Sequence, residues 1–138
     1  MRRARALLDT DVLSALTRRD ATASERARDH LSVHLKLLIS LITRYEVTRG
    51  LKAKNAMAQL KRFNVLCASL EVLPLSDAII VRAADIYADL YQRGQLIGDA
   101  DILIGATALE NGRVLATNNT HHLNRIQGLV LENWLHAL

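Results

Sequence analysis

Ala6-Leu7-Leu8-Asp9-Thr10-Asp11-Val12-Leu13-Ser14-Ala15-Leu16-Thr17 joins three apolar residues, an acidic break and a run with helical spacing. It predicts a short buried strand over Ala6–Leu8, followed by a helix over Thr10–Thr17. The same unit recurs along the chain. Leu35–Ile39 reads as a second strand running into a helix over Leu41–Lys54, with a further helix over Asn55–Ser69. Glu71–Leu73 reads as a third strand, and Pro74 and Ser76 open a helix that Gly94 ends. On that helix Ile79, Ile80, Ala83, Ala84, Tyr87, Leu90 and Tyr91 are expected on one apolar face. Asp99–Glu110 is apolar on most sides and predicts a buried helix. Asn111-Gly112 then turns the chain into strand Val114–Ala116, a short helix or turn over His121–Ile126, and a last strand at Leu129–Leu131. Thr22-x-x-Glu25 is a capping box that would open a polar helix between the first two strands.

Strands that alternate with helices predict an α/β fold: a short, mostly parallel twisted sheet with helical crossovers that flank it. The length of 138 residues suits a single domain over 1–138. A chain this long can bury a core without disulfides, and one cysteine, Cys67, fits a reducing, cytoplasmic setting. No apolar run approaches the ~20 residues needed to span a bilayer, so no membrane partner is expected. Asp9 and Asp11 break the apolar stretch that would otherwise imitate a signal peptide. The net charge of +4 suits a polyanionic partner such as RNA, while aromatics at 4% make base stacking a minor part of any such contact.

In parallel sheets the working residues lie beyond the carboxyl ends of the strands. Asp9 and Asp11 follow the first strand, Asp99 and Asp101 open the buried helix, and Asn118 and Asn119 follow the fourth strand. Glu46 lies about a turn and a half into the helix after the second strand. Each has a simpler role on its own. Asp9 and Asp99 suit helix caps, Asp11 and Asp101 suit first turns, Thr43-x-x-Glu46 matches a capping box, and Asn118-Asn119 suits a turn. Capping does not require acids to gather at one sheet edge, whereas a hard divalent cation does require oxygen ligands there. No phosphate-binding glycine loop, dinucleotide fingerprint or nucleophile elbow competes. Cys67 sits among apolar helix positions, His121-His122 are too close in sequence to converge on one ion, and Trp134 reads as a packing anchor.

Leu7 to Ser14, Ile39 to Glu46 with Gly50, Ile97 to Leu109, and Leu115 to Leu123 with Arg125–Leu129 and Glu132-Asn133-Trp134 resemble, in order, the blocks of PIN-domain proteins of the VapC toxin type. The resemblance implies a PIN-like three-layer fold. It also implies a metal-dependent endoribonuclease that acts as the toxin of a type II toxin–antitoxin pair. Its acids would be Asp9, Glu46 and Asp101, holding Mg²⁺ or Mn²⁺. Asp101 is preferred to Asp99 because it directly precedes the Ile102-Leu103-Ile104 stretch. A fourth family acid falls near Asn119, and here it is Asn. Asp99 is expected to add charge in compensation, with Asn118, Asn119, Thr10, Thr43 and Thr117 in support. Gly105 replaces a more usual Ala and is expected to loosen helix packing slightly. The expected partners are an RNA substrate (tRNA, rRNA or mRNA), an antitoxin whose tail covers the acids, and a second copy of the chain. Arg44, Arg49 and Lys52, in a basic run that goes on to Lys54, Lys61 and Arg62, suit an RNA backbone and equally a solvated helix face.

Two other readings stand beside this one. Asp9-Thr10-Asp11-Val12 resembles the nucleophile loop of haloacid-dehalogenase-like phosphatases, with Asp9 as nucleophile. A PIN-like fold that has lost its activity would be a non-catalytic RNA- or partner-binding module.

Overall fold

The computed structural model describes residues 4–136. Five strands form one all-parallel sheet in the order β3-β2-β1-β4-β5. They are β1 (Ala6–Leu8), β2 (Leu38–Ser40), β3 (Glu71–Leu73), β4 (Val114–Ala116) and β5 (Leu131–Glu132). Helices α1 (Thr10–Thr17) and α2 (Ala21–Leu31) connect β1 to β2, and α3 (Leu41–Ala53) and α4 (Met57–Ala68) connect β2 to β3. Helices α5 (Asp77–Gln92) and α6 (Asp99–Glu110) connect β3 to β4, and the short α7 (Thr120–Leu123) precedes β5. Every residue of β1 and β2 is buried, because helices cover both faces of a parallel sheet. Leu7, Leu38, Leu115 and Ile104 centre one core layer; Leu8, Ile39, Phe63 and Trp134 centre the other.

The elements that deviate from expectation do so for local reasons. The second strand begins at Leu38, and Leu35 is 99% exposed, because β2 can extend only as far as the three-residue strand it pairs with. The last strand is Leu131–Glu132, since Gly128 turns in the left-handed region and Leu129 is spent on the core. Helix α2 is capped by Asp20, whose carboxylate accepts from the Ala23 N–H at 2.9 Å, so the Thr22–Glu25 box is not used. Along α5 the expected single face splits. Ile79, Ala83 and Leu90 are buried, while Ile80, Ala84, Tyr87 and Tyr91 form an exposed stripe beside them. Helix α6 carries the buried residues Ile102, Ile104 and the run from Gly105 to Ala108, as its all-round apolarity predicts.

Gly105 is a contact point and loosens nothing. A Cβ there would lie 2.6 Å from Ile126 Cδ1 and 3.5 Å from Leu129 Cδ2. Gly105→Ala should leave stability nearly unchanged, because the better helix propensity of Ala, about 1 kcal/mol, offsets a small shift of Ile126. Gly105→Val should cost about 1–3 kcal/mol by overpacking, read as a lower urea midpoint at unchanged m-value.

Candidate active site

The carboxyl ends of β1, β2 and β4 carry most of the acids and their partners to one edge of the sheet. Asp9 directly follows β1 and is only 5% exposed. Its Oδ1 accepts from the Thr10 N–H at 2.8 Å, which caps α1, and its Oδ2 accepts from the Thr117 hydroxyl at 2.8 Å. Capping and site membership therefore coexist in one side chain. Burial pushes the Asp9 carboxyl up to about 7, with Asp11 and Asp101 repulsion adding to it and the two hydrogen bonds opposing it.

Ser40 caps α3 by accepting from the Thr43 N–H at 3.0 Å, so the Thr43–Glu46 capping box does not form. Glu46 instead faces α1: its Oε1 accepts from the Thr10 hydroxyl at 2.7 Å, and Thr10 and Thr43 Oγ1 are 3.0 Å apart. The other Glu46 oxygen lies 3.8 Å from Arg49, whose guanidinium also sits 5.0 Å from the Tyr45 ring centroid. Asp101, in the first turn of α6, accepts from Asn119 Nδ2 at 3.5 Å. Its carboxyl is raised by burial first and then by Glu46, which sets it beside the same acids. The Asn119 N–H donates in turn to Thr117 Oγ1 at 2.9 Å.

The predicted acids Asp9, Glu46 and Asp101 thus meet, together with Thr10, Thr43, Thr117 and Asn119. Asp99 does not join them; it is exposed in the first turn of α6, and Gly98 is the cap residue there. Asp11 takes the place expected of Asp99. Its Oδ2 accepts from the Asn118 N–H at 3.0 Å, and its Oδ1 is buried without a hydrogen-bond partner. Burial raises its carboxyl as well. The signal for Asp11 was present in the Asp9-x-Asp11 spacing at a strand end, where a first-turn acid is equally explained by the helix dipole. Asn118 faces outward from Asp11, its Oδ1 accepting from Asn133 Nδ2 at 3.1 Å.

Such a set suits one kind of guest. All of its strong donors are carboxylate oxygens, one of them, on Asp11, buried and unpaired, and burial disfavours the ionised forms of Asp9, Asp11 and Asp101. Among the described residues no three His, Cys, Asp or Glu side chains close tightly around a single point. Carboxylate oxygens of this kind suit a hard cation, which can take one or two carboxylates and keep several waters. Asp9 is poorly suited to be a covalent nucleophile, with both oxygens tied and its ionisation suppressed. Cys67 is buried, and burial raises its thiol.

Comparison with known proteins gives the family and the fold. A PIN-domain family model matches residues 6–129. The tRNA(fMet)-specific endonuclease VapC of Shigella flexneri is 30% identical over 129 residues, 93% of this chain and 96% of that one. In fold, the chain is similar to one in the crystal structure of DNA-bound VapBC from Salmonella typhimurium. That likeness has a TM-score of 0.84 and 27% identity, covering 96% of this chain and 99% of the other. VapBC2 of Rickettsia felis bound to a promoter DNA fragment gives a TM-score of 0.83 at 25% identity, covering 94% and 98%. With the four sequence blocks in order, the five-stranded parallel sheet and the acids at its edge, the chain belongs to the PIN-domain family, in its VapC branch.

Proposed function

We propose that this chain is an endoribonuclease that hydrolyses RNA phosphodiester bonds with the help of Mg²⁺ or Mn²⁺. It acts as the toxin of a type II toxin–antitoxin pair. The observation that carries this reading is the meeting of Asp9, Glu46 and Asp101 at one sheet edge, two of them held away from their ordinary ionisation. Asp9 and Asp101, with Glu46 near them, would hold the cation, and Asp11 would add charge beside it. When bound, the cation supplies positive charge that polarises the scissile phosphate and favours ionisation of an attacking water.

The chain's own residues do the positioning. Thr117 and the Thr10 N–H hold the Asp9 carboxylate in one rotamer, Asn119 steadies Asp101, and the Thr10 hydroxyl aims Glu46. Arg44, Arg49 and Lys52 line one hollow on the outer side of α3 and would meet the RNA backbone there. The exposed Ile80, Tyr87 and Tyr91 stripe suits a second copy of the chain. The antitoxin tail would cover the acids. No helix among the described residues is long and apolar enough to cross a membrane. A single domain over 1–138 working on cytoplasmic RNA is part of the same proposal.

The test is cleavage of bulk tRNA and total RNA in Mn²⁺, with the ends mapped. Asp101→Asn should remove cleavage while circular dichroism keeps the native helix signal; full activity in that variant would sink the site. An aryl-phosphate assay run beside it separates this reading from a phosphatase. Thr10→Val keeps the side chain's shape but releases Glu46. It should lower kcat/KM about 10–100-fold with stability changed by less than about 1 kcal/mol. Thr10→Ser should restore most of the activity, since it returns the hydroxyl.

A further inference from the structure

The basic run that the sequence shows between Arg44 and Arg62 divides into two surfaces in the fold. Arg44, Arg49 and Lys52 share the outer hollow of α3, where Arg49 is already engaged by Glu46 and Tyr45. Lys54 and Arg62 face the other way, into a cleft of about 460 Å³ between α1, α3 and α4. There they meet Arg18 and Arg19, which come from the far end of α1. No acid lines this cleft, and among the described residues none of its four cations takes part in an ion pair. The nearest carboxylate in sequence, Asp20, caps α2 through the Ala23 N–H.

The cleft lies between the same two helices that begin at the acidic edge. Helices α1 and α3 both start there and are tied together by Thr10, Thr43 and Glu46. Ser14 and Val47, four residues beyond Thr10 and Thr43, form the upper walls of the cleft. At 1.5 Å per residue, Arg18 lies about 10 Å beyond Asp11 and Lys54 about 12 Å beyond Glu46. That is roughly one Debye length at 0.1 M salt. The cations are therefore too far to neutralise the carboxylates, yet one chain lying across the site can reach them. Arg19 also holds a left-handed backbone, φ 61°, where glycine would be less strained.

The geometry points to this cleft as the track for the RNA chain on one side of the scissile bond, with Arg18, Arg19, Lys54 and Arg62 holding its phosphates. The inference rests on the ribonuclease reading, and its test is built on binding so that the two can fail separately. Fluorescence anisotropy with labelled bulk tRNA is measured on the cleavage-blocked Asp101→Asn protein, alone and with Arg18→Gln/Arg62→Gln, Lys54→Gln or Arg19→Gly added. The double variant should weaken binding about tenfold. It should flatten the plot of log K against log salt by about 1.4, from two lost single-strand phosphate contacts.

Arg19→Gly should weaken binding without lowering Tm, an outcome that a merely structural arginine would not give. Lys61→Gln, the same charge change on α4 outside the cleft lining, should leave affinity and slope unaltered. In the active protein, the double variant should raise KM for tRNA with kcat unchanged. Unaltered RNA affinity and salt slope in the cleft variants overturns the track, as does an equal loss in Lys61→Gln. Lost binding of poly-glutamate with RNA affinity intact would assign the cleft to a protein partner and also overturns it. Failure of the parent chain to cut any RNA defeats the ribonuclease reading, while the anisotropy still decides the track.

Discussion

Asp9→Asn should abolish RNA cleavage and, without metal, make the protein more stable at pH 8 than the parent. The activity loss should be at least about 10³-fold, corresponding to about 4 kcal/mol of transition-state stabilisation. The stability gain follows from linkage. Burial raises the Asp9 carboxyl from 3.8 to about 7, so the native state binds this proton more tightly than the unfolded chain does. The stabilisation from that protonated form is complete below about pH 4 and is lost as pH rises through about 7. That rise amounts to on the order of 4 kcal/mol. Asp101 and Asp11, also raised, act in the same direction.

Asn is neutral at every pH and is as good a helix cap as Asp, so α1 keeps its Thr10 N–H partner. The Thr117 hydroxyl can turn to accept from the new amide. Thermal melts from pH 4 to 8 in chelator should therefore slope downward for the parent and run flatter for the variant. Added Mn²⁺ should raise the parent's Tm by mass action and leave the variant's nearly unmoved. A parent profile that rises from pH 5 to 8 would contradict the burial of Asp9 in its ionised form.

Trp134→Ala should give the largest loss of stability, about 3–5 kcal/mol. Trp134 is 1% exposed and packs in the core layer that holds Leu8, Ile39 and Phe63. Its Nε1 donates to Glu132 Oε1 at 3.1 Å, its ring lies 5.4 Å from His30, and the Arg26 guanidinium is 6.0 Å from it. Truncation leaves a cavity under β5 and takes a partner from Glu132. For a chain of this length the Tm should fall by about 10–15 °C. Trp134→Phe, which keeps most of the volume and loses only the N–H, should cost far less. A loss below about 1 kcal/mol in Trp134→Ala would mean that the end of the chain is not part of the core. Any residual folded protein at low temperature should still cut RNA, because Trp134 touches none of the site acids.

The alternation of short apolar runs with helical patterns was enough to read an α/β sheet. Strands Ala6–Leu8, Glu71–Leu73 and Val114–Ala116 and helices Thr10–Thr17 and Asp99–Glu110 lie where their residues predict, because each is bounded by its own local signals. Leu35–Ile39 found the second strand but not its bounds, Leu38–Ser40, because pairing, a nonlocal property, sets where a strand begins and ends. Ser40 and Asp20 won their caps over Thr43 and Thr22 because only the backbone path shows which residue is last before the helix. The shared position of Asp9 and Asp101 was legible because residues just past strand ends and at helix starts lie along one edge of a parallel sheet, while Glu46, inside α3, was marked by the resemblance. The exchange of Asp99 for Asp11 was not legible, since both precede or open a helix and differ only in which way the side chain faces.

Sequence by itself determined the class of fold, which periodicity encodes, and the family, which four blocks resembling it in order carry. Tertiary structure alone decided three further matters. Packing left a buried, unpaired oxygen on Asp11, and burial carried the Asp9 carboxyl to about 7. Folding turned one basic run into two surfaces and brought Arg18 and Arg19 across from α1. Desolvation and through-space charge depend on distances between segments far apart in sequence, and only the folded chain sets those distances.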